Sequence, residues 1–285
     1  MPLIANVALL CRMVKIEHSI FALPFAYMGA FAAAGGLPKA MDLILLTIAM
    51  VCVRSFAMTY NRIVDVHYDR LNPRTANRHM VTGEITAFQA WSFCGVMALG
   101  FVFSTAGMNM LCLTLSPLAL FVAAFYSYTK RFTWLCHFVL GLILAMAPVG
   151  GYLCVTGAFD LAPVLLAGAV LFWAAGFDIL YACQDVEFDT RYGLHSVPVA
   201  FGIPTGLVLA SGCHVNTVIF LALAGFAFHF AWPWFAVVLA VAALLYWEHT
   251  LIKPDDLTRL NLAFFAINGL IAVFLFLGVL AAIYL

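Results

Sequence analysis

Charged residues are scarce in this sequence. Asp, Glu, Lys and Arg make up 9% of its 285 residues, whereas hydrophobic residues make up 66%, and the mean hydropathy is +1.07. Soluble domains carry about 25% charged residues, so this composition excludes an ordinary soluble protein. The sequence also lacks a polar stretch long enough for a separate soluble module, and we predict one integral membrane domain over residues 1–285.

Paired cysteines are absent as well. The eight cysteines are scattered singly through apolar stretches without a Cys-x-x-Cys spacing, and we interpret them as small buried hydrophobic residues. The histidines lack the spacing of a zinc site. The first apolar stretch lacks a small-residue cleavage pattern, so we expect no removable signal peptide. The formal net charge of zero identifies no partner by itself. We expect that the protein does not bind nucleic acid.

Long apolar stretches are what the sequence has in abundance. Nine of them come close to the length of about 20 residues that a membrane-spanning helix needs. They cover residues 18–36, 41–60, 86–106, 108–127, 135–156, 162–182, 204–226, 230–248 and 261–284. The sequence therefore predicts an all-α membrane protein with nine transmembrane helices and membrane lipid as its solvent.

The basic residues predict the orientation of these helices. If the nine spans alternate in direction, eleven basic residues fall on one side: Arg12, Lys15, Arg62, Arg70, Arg74, Arg78, Lys130, Arg131, Arg191, Lys253 and Arg259. Lys39 alone falls on the other side. Because basic residues concentrate in cytoplasmic segments, we expect a cytoplasmic N-terminus and a C-terminus outside.

The first of two acidic clusters follows the second predicted span. Asn61, Asp65 and Asp69 are each four residues apart, which places them on one face if the apolar helix continues. An unpaired charge near hydrocarbon costs about 2.5–3.5 kcal/mol on insertion scales, so we expect a cation there. Mg²⁺ is the natural candidate, because it is commonly held by one or two carboxylates together with substrate phosphates.

The second cluster follows the sixth predicted span. Asp178, Tyr181, Asp185 and Asp189 advance by three, four and four residues and share one helical face. Asp178 lies deep in an apolar stretch, where an ionisable residue indicates a functional site; alternatively, a neighbouring helix satisfies it. Both clusters contain Asp-x-x-x-Asp, which suggests two helix-loop units facing one another across a central cavity. The structural alternative is that both are charged connections in which Asp pairs with Arg.

Basic residues near the clusters suit a phosphate ligand. Arg54 precedes Asn61 by about two helical turns, and Arg74 and Arg78 follow in the loop. Arginine binds phosphate oxygens in a bidentate manner.

Further polar residues fall on the same predicted side of the membrane. Tyr126 and Lys130 share a face at the end of the fourth span, where Lys130 could contact a phosphate or could anchor the helix at the interface. His18, His67, His79 and His195 could contact a diphosphate or a second substrate, whereas we interpret His214 and His229 as packing or outside-face residues.

Taken in order, these motifs resemble the UbiA superfamily of intramembrane aromatic prenyltransferases, in particular its 4-hydroxybenzoate polyprenyltransferase group. The resemblance runs nearly end to end. It is carried by Lys15-Ile-Glu17-His18, Asn61-x-x-x-Asp65-x-x-x-Asp69 with Pro73-Arg74-Thr75, Tyr126-x-x-x-Lys130, Asp178-x-x-Tyr181-Ala-x-Gln184-Asp185-x-x-x-Asp189, Gly193-Leu-His195-Ser196 and Asp256-Leu-x-Arg259-x-Asn261.

The resemblance implies a fold, a reaction and a set of roles. The fold is nine helices around a central cavity that opens laterally to lipid, in the cell (inner) membrane, with the active site on the cytoplasmic side. The reaction transfers a polyprenyl group from polyprenyl diphosphate to 4-hydroxybenzoate or a similar aromatic acid in respiratory quinone biosynthesis.

The implied roles divide the candidate residues into three groups. Mg²⁺ is held by Asp65, Asp69, Asp185 and Asp189. Charge on the leaving diphosphate is neutralised by Arg54, Arg74, Arg78 and Lys130. Positioning of the substrates falls to Asp178 and Tyr181, with further contacts from Asn61, Tyr126, His18, Gln184 and His195.

One departure from the family pattern leaves the acceptor open. His195 stands where a Lys is common, and the form Gly193-Leu-His195-Ser196 is similar to members that act on a dihydroxynaphthoate in a menaquinone route. That acceptor is the alternative to 4-hydroxybenzoate.

Two other classes of membrane protein are less well matched. A CDP-alcohol phosphotransferase carries its aspartates in a single segment, whereas here four spans separate the two pairs. An ion-coupled transporter, with Asp178 and Arg54 as coupling residues, predicts polar residues along the spans towards the outside. The third, fifth and ninth predicted spans have almost none there.

Overall fold

The computed structural model describes residues 3–15, 23–260 and 266–285 of the chain. Regular structure within these ranges is helical, apart from one isolated bridge between Lys253 and Asp256. The helices, numbered along the chain, are α1 (Leu3–Met13), α2 (Leu23–Ala34), α3 (Ala40–Val64), α4 (Val66–Leu71), α5 (Ala87–Met108), α6 (Met110–Thr129), α7 (Cys136–Thr156), α8 (Leu161–Ala182), α9 (Val186–Arg191), α10 (Val197–Phe201), α11 (Ile203–Ala227), α12 (Trp232–Leu251) and α13 (Asn268–Tyr284).

Seven segments of the described chain are helical, long and apolar enough to cross a membrane. They are α3, α5, α6, α7, the segment from α8 through α9, α11 and α12. These seven match seven of the nine predicted spans. The other two correspond to α2 and α13, which are shorter apolar helices of 12 and 17 residues. The protein is thus an all-α integral membrane protein, and a count of nine spans stays a prediction.

The outer surface of these helices is apolar. Several large apolar side chains are at least 70% exposed, including Phe88, Phe103, Val208 and Leu239. Soluble monomers seldom expose apolar surface of this kind. Hydrocarbon rather than water is the solvent that suits such a surface. Helices meet that solvent without penalty because their backbone hydrogen bonds are internal.

Helix α8 is held at the centre by close backbone contacts. It packs most extensively against α7 and α11. At the α7 crossing, a Cβ on Gly141 would lie 2.3 Å from the carbonyl oxygen of Leu171, so only glycine permits the approach. Small residues that let helix backbones come close are typical of membrane interfaces. The helix that carries the second acidic cluster is therefore fixed in position and rotation.

Both acidic clusters have the same local backbone. Helix α3 ends immediately before Asp65, and the six-residue helix α4 follows it; α8 ends in a 3₁₀ turn, Cys183–Asp185, and the six-residue helix α9 follows. Asp65 has φ −93° and ψ 5°, and Asp185 has φ −101° and ψ 4°. The second aspartate is the fourth residue of the short helix in each case. This repeat of span, bend and short helix agrees with the pseudo-repeat that the sequence suggests.

Candidate active site

The two acidic clusters line one polar cavity of about 400 Å³. It brings together eleven of the residues singled out in the sequence: Asn61, Asp65, Asp69, Arg74, Arg78, Tyr126, Lys130, Asp178, Tyr181, Asp185 and Asp189. Segments that are far apart in sequence thus converge at the ends of α3, α6 and α8. This placement agrees with the expectation that the two helix-loop units face one another across a cavity.

In the first cluster, each aspartate has a cationic partner. Asp65 accepts a hydrogen bond from Asn61 Nδ2 at 2.7 Å and one from Arg131 Nη2 at 3.1 Å. Asp69 accepts from Nη1 of Arg78, which lies in the loop after α4. Of these three partners, Asn61 and Arg78 were site candidates from the sequence, whereas Arg131, which reaches Asp65 from the loop after α6, was not.

In the second cluster, both cationic partners come from elsewhere in the chain. Arg74 makes a bidentate pair with Asp185, with Nε at 3.2 Å from Oδ1 and Nη2 at 2.8 Å from Oδ2, and its Nη1 donates to the hydroxyl of Tyr181 at 3.3 Å. Lys130 Nζ lies 2.8 Å from Oδ2 of Asp189, which is 1% exposed. Arg74 therefore ties the loop of the first cluster to the aspartate of the second.

Burial shapes the charge state of this cavity. Desolvation raises the pKa of the Asp65 carboxyl above its usual value, and neighbouring Asp69 adds to the rise, while Arg131 and Asn61 oppose it. Burial would lower the pKa of Lys130, but attraction to Asp189 outweighs it and raises that pKa. An additional cation near Asp65 would favour its ionised form.

The donor set fits Mg²⁺ bound together with a substrate. Within the described ranges, no three Asp, Glu, His or Cys side chains converge as a ready-made metal cluster. Mg²⁺ does not need such a cage, because it commonly takes one or two carboxylates, waters and substrate phosphate oxygens. Asp65 and Asp69 supply that kind of donor on one side, and Asp185 and Asp189 supply it on the other.

An apolar cavity of about 650 Å³ adjoins the polar one. Its walls include Phe25, Trp173 and Phe177, and the two cavities share Met58, Asn61 and Tyr126 as lining residues. An amphiphilic ligand could therefore place an anionic head among the aspartates and bases and a hydrocarbon tail between the helices.

Asp178 has a partner that the sequence did not reveal. Its Oδ2 lies 2.6 Å from Nδ1 of His137, the second residue of α7. The other ring nitrogen of His137, Nε2, lies 3.1 Å from the main-chain nitrogen of Val197. A neighbouring helix does satisfy this carboxylate, as one of the two interpretations expected, but Asp178 also lines the polar cavity.

Arg54 is placed away from the aspartates. Its Nη1 donates to the carbonyl oxygens of Val14 and Lys15 at 3.2 and 3.3 Å, and it lines the apolar cavity rather than the polar one. It thus holds the residues that follow α1 close to α3. Its role with diphosphate stays a prediction.

Three more predicted contacts lie outside the cavity lining or outside the described residues. Gln184 is exposed and donates to the carbonyl oxygen of Tyr181. His195 is exposed too, and its contribution is a main-chain hydrogen bond to the carbonyl oxygen of Lys130 at 2.7 Å. His18 falls outside the described residues.

Sequence reasoning missed Arg131 and His137 as site residues. A signal for Arg131 was present, because it directly follows Lys130 and the acids need nearby bases. His137 could have been found by asking which polar side chain near the same end of a span could satisfy the buried Asp178. Neither partner could be identified by spacing, since each contact joins different helices.

Comparisons with known proteins agree with this arrangement. The UbiA prenyltransferase family model matches residues 22–283. The chain is 30% identical over 257 residues to a 4-hydroxybenzoate octaprenyltransferase of Methylobacillus flagellatus, an alignment that covers 90% of this chain and 86% of that protein.

Solved structures share the fold. The apo structure of a UbiA homolog from Aeropyrum pernix K1 superposes with a TM-score of 0.85 at 32% identity, covering 93% of this chain and 98% of that one. A UbiA homolog from Archaeoglobus fulgidus, bound to DMAPP and Mg²⁺, superposes with a TM-score of 0.75 at 23% identity, covering 95% and 98% of the two chains. The family model covers most of this chain, and both acidic clusters line one cavity. The chain therefore belongs to the UbiA prenyltransferase family.

Proposed function

We propose that the protein transfers a polyprenyl group from polyprenyl diphosphate to 4-hydroxybenzoate or a similar aromatic hydroxy acid, with Mg²⁺, in respiratory quinone biosynthesis. The observation that carries this proposal is the joined pair of cavities. The polar one is lined by five aspartates and by bases, and the apolar one begins at Asn61 and Tyr126. A lipid diphosphate is the substrate whose shape and charge match both.

The donor head is bound by the chain's own cations. Arg74, Arg78 and Lys130 are already positioned by carboxylates at the cavity wall, so they can offer their remaining donors to phosphate oxygens. Mg²⁺, when bound, supplies positive charge that stabilises the leaving diphosphate. The archaeal homolog bound to DMAPP and Mg²⁺ supports this part of the proposal.

The reacting carbon belongs at the junction of the cavities. With the diphosphate among the bases and the tail between the helices, the allylic carbon lies near Asn61 and Tyr126. The apolar wall formed by Trp173 and Phe177 excludes water that would capture an allylic cation. An aromatic ring with a hydroxyl group is then the nucleophile, as the name of the Methylobacillus relative suggests.

We propose nine spans with the active site on the cytoplasmic side of the inner membrane. Helices α2 and α13 pack with the longer apolar helices, and the basic residues favour this orientation. The test is labelling of single cysteines at Lys39 and at Arg191, in a chain whose native cysteines are replaced. Opposite accessibility is expected, and labelling of both from the same side would contradict the topology.

The activity is tested in membranes that contain the protein, a labelled polyprenyl diphosphate and a panel of acceptors. We expect prenylated 4-hydroxybenzoate, identified by product mass, and loss of product when Mg²⁺ is chelated. Product with a dihydroxynaphthoate alone would favour the menaquinone acceptor. Uptake of a solute with no prenylated product would favour the transporter.

The matched variants are Asp65→Asn and Glu187→Gln. Asp65→Asn removes a charge from the cavity and should lower activity by about 100-fold or more. Glu187 lies on α9 between Asp185 and Asp189, but it is exposed and does not line the cavity, so Glu187→Gln should retain activity within about 2-fold. Full activity in Asp65→Asn would contradict the assignment of this cavity.

A further inference from the structure

Asp178 differs from the other aspartates of the polar cavity in the kind of partner it has. The other four, Asp65, Asp69, Asp185 and Asp189, pair with Arg or Lys. Asp178 instead pairs with the imidazole of His137, whose side chain is 2% exposed. The chemistry open to a carboxylate depends on this partner, because a guanidinium neutralises it whereas a neutral imidazole leaves its charge in place.

The tautomer of His137 follows from its second contact. The main-chain N–H of Val197 can only donate, so Nε2 of His137, 3.1 Å away, is the acceptor. The ring hydrogen is therefore on Nδ1, which donates to Oδ2 of Asp178 at 2.6 Å. The arrangement is a fixed chain from a backbone amide through a neutral imidazole to a carboxylate.

The location of Asp178 allows its carboxylate to contact a substrate. Asp178 lines the polar cavity, and the preceding residue, Phe177, lines the apolar one. Tyr126 lines both cavities. The carboxylate thus borders the region where the head and the tail of the donor would meet, and its side chain is 21% exposed, so a ligand can reach it.

We propose that Asp178 accepts the hydroxyl proton of the aromatic acceptor, and that His137 is the residue that positions and orients this carboxylate for the transfer. The inference rests on the proposed function, since it needs a phenolic acceptor. His137 is almost fully buried at the edge of the cavity; it keeps one oxygen of Asp178 hydrogen-bonded and leaves the other for the acceptor. The logic is that of a triad, in which a buried partner orients the acid–base group.

The proton transfer balances within the prenylation. The acceptor O–H bond breaks, its proton moves to Asp178, and the electron pair stays on oxygen. The ring carbon next to the C–O group then bonds to the allylic carbon, whose bond to diphosphate breaks with the electron pair on diphosphate. The hydrogen on that ring carbon then leaves as a proton to the released diphosphate, while Asp178 returns its proton to the oxygen, which restores the aromatic phenol.

Two substitutions of His137 separate this role from a structural one. In His137→Asn the amide nitrogen can occupy the place of Nδ1 and still donate to Asp178, whereas in His137→Gln the amide group reaches the place of Nε2 and can still accept from Val197. If orienting Asp178 is what matters, His137→Asn keeps activity within about 10-fold, and His137→Gln and Asp178→Asn each lose about 100-fold in kcat. If His137 only holds the loop at Val197, the order of the two His137 variants is reversed, which overturns the proposal.

A second measurement uses acceptor acidity. 3-Fluoro-4-hydroxybenzoate has a more acidic hydroxyl and keeps one unsubstituted ring position beside it, so it depends less on a base. The activity of His137→Gln relative to the unaltered protein should therefore rise several-fold with the fluorinated acceptor. An unchanged ratio would overturn the assignment of Asp178 as the proton acceptor.

Controls separate failure of this inference from failure of the proposed function. His229→Asn alters an exposed imidazole after the end of α11 that lines neither cavity, and it should match the unaltered protein. The KM for polyprenyl diphosphate should change less than about 2-fold in His137→Gln, because the donor contacts are elsewhere. If the unaltered protein prenylates no phenolic acceptor, the proposed function fails first; if it does so and all three site variants match it, this inference alone fails.

Discussion

The two acidic clusters have the same backbone but different surroundings. Each consists of a span, a bend at the first aspartate and a six-residue helix with the second aspartate at its fourth position. The first cluster lies at the end of α3. In the most apolar part of that helix 28% of the residues are buried, compared with 50% in the segment of α8 and α9. The second cluster therefore belongs to the more deeply buried of the two helical segments.

The same difference extends along the two helices. Seven residues before the first aspartate, α3 has Met58 and α8 has Asp178; four residues before it, α3 has Asn61 and α8 has Tyr181. A repeat of the backbone therefore carries two different sets of side chains. We interpret the shared part as serving the donor diphosphate and the unshared part as serving the acceptor.

The two clusters also differ in the hydrogen bonds of their arginines. Arg74 makes three hydrogen bonds that join the clusters, to Asp185 twice and to Tyr181 once, whereas Arg78 makes one recorded contact inside the first cluster, to Asp69. Lysine ends in a single nitrogen and cannot reproduce the planar fork of arginine, so at position 74 we expect it to keep one of the three bonds. Each charge-assisted bond contributes about 1.5 kcal/mol or more, roughly 10-fold, so we expect Arg74→Lys to lower kcat/KM for the donor by about 100-fold and Arg78→Lys by about 10-fold or less.

Steady-state kinetics with polyprenyl diphosphate as the varied substrate measures this difference. Equal losses in the two variants would show that linking the clusters is not what gives Arg74 its importance. A larger loss in Arg78→Lys would place the main donor contacts in the first cluster alone.

A smaller effect is expected from the packing of the two helices. A Cβ on Gly141 of α7 would meet the backbone of α8 at Leu171, whereas a Cβ on Gly100 of α5 would meet Sγ of Cys52 on α3 at 2.8 Å. A side-chain sulfur can rotate away, but a backbone carbonyl cannot. Overpacking costs about 1–3 kcal/mol, so Gly141→Ala should lower the thermal stability in detergent clearly and Gly100→Ala only slightly.

Thermal unfolding of both variants, at matched detergent concentration, measures this difference in stability. Residual activity below the unfolding temperature should be higher for Gly100→Ala. If both variants unfold at the same temperature, α8 is not held more rigidly than α3.

The sequence was sufficient for features that depend on local pattern. Apolar length identified seven spans that the structure also has. Spacing grouped Asp65 with Asp69 and Asp185 with Asp189, and the repeat suggested that the two pairs face one cavity, which both line. The first and ninth predicted spans begin at residues 18 and 261, and residues 16–22 and 261–265 lie outside the described ranges. The described helices there, α2 and α13, have 12 and 17 residues, so the full length of these two spans stays a prediction.

Pairing was the harder problem, because it depends on which helices become neighbours. Arg131 could have served any carboxylate at that end of the protein, and the fold delivers it to Asp65. His137 and Asp178 are 41 residues apart and meet only because Gly141 lets α7 and α8 approach closely. Arg54 illustrates the reverse: its periodicity with Asn61 suggested the diphosphate, but its described contacts are carbonyl oxygens after α1.

The segment between α9 and α10 holds the site through its main chain. The amide of His195 donates to the carbonyl oxygen of Lys130, and the amide of Val197 donates to His137. The imidazole of His195 is exposed and can be exchanged while its amide stays in place, so the identity of residue 195 is a poor guide to which acceptor a related sequence uses. Sorting such sequences by substrate should rest instead on the positions equivalent to His137, Asp178 and Tyr126, whose side chains lie at or directly behind the cavity wall.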